Sequence, residues 1–151
     1  MIQRKQSVYL LVSIILNAVC MFLPLGTYVS DKMGADSKLF NIAIKGMDGS
    51  MDYVVCILFV LLLVSVMSSV LNIFLYKNRK LQMKVCKLNM LLMVVWYAAY
   101  MYFAFTGGGE GASFSFSIAG AMPFVALIGQ LLANNGISSD EELIRSMDRI
   151  R

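Results

Sequence analysis

The chain has 151 residues, 59% of them hydrophobic and only 15% charged, with a formal charge of +4. Soluble chains are roughly 45–50% apolar and about 25% charged, so this composition excludes an ordinary water-soluble domain and calls for lipid as solvent. The lack of histidine and the unpaired spacing of Cys20, Cys56 and Cys86 exclude the usual zinc, haem and catalytic-triad chemistries, and basic residues gathered beside apolar runs read as topological rather than as a nucleic-acid surface.

A helix needs about 20 mostly apolar residues to cross a hydrocarbon core roughly 30 Å thick. Four runs free of Asp, Glu, Lys and Arg meet this requirement, at residues 8–25, 54–75, 88–105 and 115–133. Runs this long and uniformly apolar are helices rather than barrel strands. The expected fold is therefore all-α, a bundle of four transmembrane helices over residues 1–133, followed by a cytoplasmic tail helix within 134–151.

The first span follows Arg4 and Lys5. Leu23-Pro24-Leu25 continues its apolar run where a small-residue cleavage site would stand, which favours a retained helix over a signal peptide. In the loop at residues 27–52, Phe40, Ile42 and Ile44 alternate with Asn41, Ala43 and Lys45, and Gly46 and Asp48-Gly49 supply turn chemistry. A period of two with flanking turns predicts a short extracytoplasmic β element.

In the second span, Ser65, Ser69 and Asn72 fall on one helical face, the geometry of a helix-packing seam. The same neutral polar face is the feature that a small-molecule or lipid carrier would use. The next loop is strongly basic, with Lys77, Arg79, Lys80, Lys84 and Lys87. Trp96 and Tyr97 lie too deep in the third span for an interfacial belt and are expected to pack on neighbouring helices.

The glycine run from Gly107 to Gly111 lacks the Gly-Lys-Ser/Thr ending of a phosphate loop. After it, Ser113-Phe114-Ser115-Phe116-Ser117 also alternates, and two readings stand open. Either this run pairs with the alternating run of the first loop, or its phenylalanines begin the fourth helix. Within the fourth span, Ala126 with Gln130 and Gly129 with Ala133 suggest close helix contacts, and Pro123 is expected to kink the helix.

In the tail, Ser139 with Glu142 three residues on makes a capping box, so a helix is expected to begin there. Leu143, Met147 and Ile150 recur on one face, acids occupy the first turn and Arg149 and Arg151 the last. A helix of about a dozen residues is marginal alone, so its apolar face is expected to rest on the membrane surface, the basic loop or a partner. The expected partner contacts are Arg145, Asp148, Arg149 and Arg151.

Lysine and arginine in short loops set orientation. Ten of the thirteen basic residues fall in the amino-terminal segment, the second loop and the tail, which predicts both termini on the cytoplasmic side. Ionisable groups inside the bilayer usually mark transporters, pumps and membrane enzymes; these spans contain none, so no enzymatic activity, cofactor or metal is expected.

The opening residues Met1-Ile2-Gln3-Arg4-Lys5-Gln6-Ser7-Val8-Tyr9-Leu10-Leu11 and the closing residues from Asp140 to Arg151 resemble a domain-of-unknown-function family of small four-helix inner-membrane proteins of Bacteroidota. The family pattern is more basic just before the closing acids, where this chain has Asn134-Asn135-Gly136-Ile137-Ser138-Ser139. The resemblance implies a multi-pass inner-membrane protein and brings no substrate or catalytic residue. The leading expectation is a non-enzymatic accessory subunit of a larger membrane complex, with a membrane-protein partner and the lipid bilayer as its surroundings, and with no nucleic acid. The alternative is the carrier working through the seam.

Overall fold

A computed structural model describes residues 5–30, 36–46, 48–75, 78–108 and 112–148. In chain order they form α1 (Lys5–Phe22), β1 (Gly26–Ser30), β2 (Ser37–Leu39), β3 (Ile44–Lys45), β4 (Met51–Asp52), α2 (Cys56–Phe74), α3 (Arg79–Thr106), β5 (Ala112–Phe116) and α4 (Met122–Asp148), with single 3-10 turns leading into α2 and α4. Each helix packs on its sequence neighbours and α4 closes back on α1, giving an antiparallel ring of four.

The buried positions explain the ring. They recur at alternating spacings of three and four: Leu10, Ser13, Asn17 and Cys20 on α1; Leu58, Leu62, Ser65, Ser69 and Asn72 on α2; Gln82, Cys86, Asn89, Met93 and Trp96 on α3; Ala126, Gln130, Ala133 and Ile137 on α4. That alternation keeps one stripe of each helix facing the bundle axis, as in left-handed coiled-coil packing. The outer faces are apolar and exposed, including Leu11, Ile15, Val60, Val64, Met67, Leu91, Val94, Phe124 and Leu131. The molecule is thus polar inside and apolar outside along the middle of the bundle, the reverse of a water-soluble domain. The segments Tyr53–Phe74, Arg79–Thr106 and Ile118–Leu143 are long and apolar enough to cross a membrane, while the apolar helix Gln6–Phe22 is shorter.

Helix ends depart from the apolar runs in three places. The third helix starts at Arg79 rather than at 88, because Asn78 caps it by accepting from the Leu81 amide at 3.3 Å and the intervening Arg, Lys, Leu, Gln and Met are good helix formers. The fourth starts at Met122 rather than at 115, because the residues from Ala112 to Phe116 are a strand. Pro123 therefore sits in the first turn, where its missing N–H and fixed φ fit, rather than inside the helix, where the expected kink would arise. Nor does Ser139 begin a new helix: α4 runs through it to Asp148, because Ala133 and Ile137 are buried against the bundle and hold the intervening residues helical.

The five strands form one antiparallel sheet in the order β4-β3-β2-β1-β5. It joins the first and third loops, pairing Gly26 with Phe116, Tyr28 with Phe114 and Ser30 with Ala112. Ser113–Phe116 is thus a strand, but its partner is β1 rather than the alternating run at residues 40–45. That run is broken: the Phe40 amide donates to the Ala43 carbonyl at 2.9 Å, turning the chain between β2 and β3.

The turn is held by Asn41, which is fully buried. Its side-chain amide donates to the Cys20 carbonyl in the last turn of α1 at 2.7 Å, and its own carbonyl accepts from the Phe59 amide in the first turn of α2 at 3.1 Å. Helix ends carry backbone groups without intrahelical partners, and this one residue satisfies one at each of two helices.

Aromatic packing fastens the sheet to the bundle. Tyr28 is buried, lies 4.9 Å from the Phe114 ring and donates to the Phe103 carbonyl at 2.7 Å near the end of α3. Burial pushes its phenol up to about 12. Gly107 and Gly108 make room for that ring, since a Cβ on Gly108 would come within 2.7 Å of it. Tyr100 donates to the Leu25 carbonyl at 2.9 Å and Tyr97 to the Gly120 carbonyl at 2.8 Å, while Trp96 stacks on Tyr100 with centroids 5.2 Å apart. At the opposite end, Leu10, Cys86, Ala133 and Ile137 form a second apolar cluster.

Candidate functional site

The features that depart most from simple apolar packing lie on the bundle axis. Ser13, Asn17, Ser65, Ser69, Asn72, Gln82, Asn89 and Gln130 are all buried there. None carries charge, which keeps the cost of placing them in an apolar interior to hydrogen-bonding groups rather than ions.

Ser69 is the hub. The Asn89 side-chain amide of α3 donates to the Ser69 hydroxyl and to the Ser65 carbonyl at 3.2 Å, and the Gln130 amide of α4 reaches the same hydroxyl at 3.4 Å. One residue of α2 thereby ties three helices together. One turn away, the Asn72 amide donates to the Cys86 sulfur at 2.9 Å, and Gln82 donates to the Asn72 carbonyl at 3.2 Å. The fourth helix contact is made by Ser13, whose hydroxyl lies 2.9 Å from the Ala126 carbonyl. Gly129 permits that approach: a Cβ there would lie 2.6 Å from the Ser13 oxygen and 3.3 Å from the Tyr9 carbonyl.

Ser65, Ser69 and Asn72 therefore sit on one buried face of α2, in contact with α3 and α4. Asn89, Gln82 and Cys86 supply the opposite half of the seam. Their spacing of four and three is visible in the sequence, but it begins in the basic segment ahead of the apolar run, so a search for hydropathy passes over it. Asn41 carries no such signal, because its partners belong to helices on either side of the loop.

Among the described residues there is no group of three or more His, Cys, Asp or Glu able to hold a metal. Cys20, Cys56 and Cys86 are free thiols, and Cys20 donates to the Ala119 carbonyl at 3.3 Å instead of pairing with Cys56.

At the end opposite the sheet, Arg79 and Asp140 form an ion pair at 3.8 Å, and Gly136 lies against Gln6, with the glutamine Cγ 2.9 Å from where a Cβ would be. The start of α1, the start of α3 and the last turns of α4 are thus neighbours. A shallow depression there is lined by Ser139, Glu142, Leu143 and Ser146, and Leu143 is 63% exposed. Of the expected contact residues, Arg149 and Arg151 lie outside the described residues, as do the side chains of Arg145 and Asp148, whose backbones belong to α4.

Comparison with curated proteins finds no match. The family model described as "Domain of unknown function (DUF4293)" matches residues 2–150, which takes in the whole of the bundle and sheet described above, and the chain belongs to that family.

Proposed function

We propose that this protein is a four-span integral protein of a bacterial inner membrane, with both termini and the α2–α3 connection in the cytoplasm, and that it is a non-enzymatic accessory subunit of a larger membrane complex. The inverted distribution of polar and apolar side chains supports the embedding, and the concentration of lysine and arginine at one end supports the orientation. Shortness does not disqualify α1: with Leu23, Pro24 and Leu25 its apolar stretch continues to the sheet.

The observation that carries the accessory role is the continuous α4. At 27 residues and about 1.5 Å per residue it is about 40 Å long, roughly 10 Å more than the hydrocarbon needs. Its cytoplasmic turns are braced by Arg79 and Gln6 and present the exposed Leu143 beside Glu142. A rigid, charged and partly apolar projection is suited to contact with another membrane protein. Hydrogen bonds from Asn72, Gln82, Asn89 and Gln130 cross the helix interfaces, which favours packing over a transport path because a carrier would have to break them at each cycle. Both amide atoms of Asn17 and the Ser65 hydroxyl are buried without a hydrogen-bond partner among the described residues.

Purification in mild detergent followed by mass spectrometry tests this reading. Recovery of a second membrane protein in fixed ratio, lost on Leu143→Asp, is the expected result. Recovery of this polypeptide alone, as monomer or homodimer, would overturn the accessory role.

A further inference from the structure

The first turns of α3 break a local rule. The positive end of a helix dipole disfavours cations, yet α3 opens with Arg79 and Lys80, adds Lys84 and Lys87, and contains no Asp or Glu anywhere in its length. Arg79 is neutralised by Asp140. Lys80, Lys84 and Lys87 are exposed, and among the described residues none of them makes an ion pair.

These three lysines stand four and three residues apart, so they form one stripe. The stripe continues along the same helix face into Leu91 and Val94, 59% and 58% exposed, on the apolar outer surface of the bundle. The face bearing the lysines is therefore the lipid-facing one, and the opposite face holds the buried Gln82, Cys86 and Asn89. At 28 residues, or about 42 Å, α3 outruns the hydrocarbon by roughly 12 Å, and the extra length is the lysine-bearing part. The lysines thus stand at headgroup depth, facing outward, with Lys80 in the first turn, where the helix terminus adds to its positive potential.

We propose that Lys80, Lys84 and Lys87 form a binding site for the headgroup of an anionic phospholipid. The proposal rests on the membrane reading above. Each lysine near an anionic surface contributes about a fivefold gain in affinity, and an ammonium on a long flexible stem reaches a phosphate without a preformed pocket.

The full chain is reconstituted into nanodiscs of phosphatidylcholine, and into discs where phosphatidylglycerol replaces part of it, and melted while Trp96 fluorescence is followed. The wild type should melt several degrees higher in the anionic discs. K80Q/K84Q/K87Q should keep the melting temperature seen in phosphatidylcholine, lose the difference, and bind added phosphatidylglycerol on the order of a hundredfold more weakly. Should the triple variant fail to fold, K84Q alone carries the test, with a loss of about fivefold. Equal melting of the wild type in both discs overturns the site, as does a preference that survives the triple substitution, or stabilisation in phosphatidylcholine by inorganic phosphate alone. A chain that does not float with phosphatidylcholine vesicles at all sinks the membrane reading, whereas one that floats with them but melts equally in both discs sinks this site only.

Discussion

Single side chains decide how the two ends of this bundle are held. Asn41 is the clearest case, since it satisfies one backbone group in α1 and another in α2 while fully buried. Asn41→Ala leaves the Cys20 carbonyl without its donor and should cost about 1–3 kcal/mol in thermal unfolding in detergent, with Asn41→Asp worse because a carboxylate would face that carbonyl. Tyr28 gives a second test through pH. Its folded pKa, about 12, lies above the ordinary 10.0, so the native state holds the phenol proton more tightly. Stability from this group is complete below about pH 10 and is lost as pH rises towards 12; Tyr28→Phe should remove that part of the alkaline slope and lower stability by about 1 kcal/mol at neutral pH. Legibility at this scale followed locality. Ser65, Ser69 and Asn72 share a face that helical spacing alone exposes, whereas Asn41 stood in an alternating run, and nothing nearby in the chain marks it as the hinge pin of a turn between two helix ends.

For whole elements, hydropathy located all four helices but not their ends. It measures what a bilayer dissolves, while helix ends are set by caps, strands and packing. Thus Asn78 starts α3 ahead of its apolar run, β5 delays α4, and Ile137 carries α4 past its own. Ser139 shows the consequence. As an N-cap it would contribute about 1 kcal/mol, but inside a continuous helix its hydroxyl has no such role, and Ser139→Ala should change the unfolding free energy by less than about 0.5 kcal/mol. A measured loss near 1 kcal/mol would restore the separate tail helix. Gly129 tests the α1–α4 contact from the other side. Gly129→Ala gains about 1 kcal/mol of helix propensity and loses about as much by displacing the Ser13 hydroxyl, so it should be near neutral. Gly129→Leu has no such compensation, forces α1 outward, and should cost about 1–3 kcal/mol or more.

For the molecule as a whole, the sheet is the constraint that makes topology testable. Because β1 and β5 are paired along five residues, the first and third loops must emerge on one side of any membrane the bundle crosses. The Arg79–Asp140 pair and the Gln6–Gly136 contact put the start of α1, the α2–α3 connection and the end of α4 together at the other. The number of crossings by these helices is therefore even, and the charge bias predicts that the end opposite the sheet stays inside. Lys38, Ser113 and Ser138 are exposed, and of the native thiols only Cys56 is less than fully buried, so a Cys56→Ser background serves for labelling. In intact cells whose outer layer is permeable, a membrane-impermeant maleimide should label Lys38→Cys and Ser113→Cys. Ser138→Cys should react only after the inner membrane is opened. Labelling of Ser138→Cys in intact cells would reverse the orientation, and labelling of just one of the two sheet positions would mean that β2 and β5, joined through β1, do not share a side, contradicting the pairing that closes the fold.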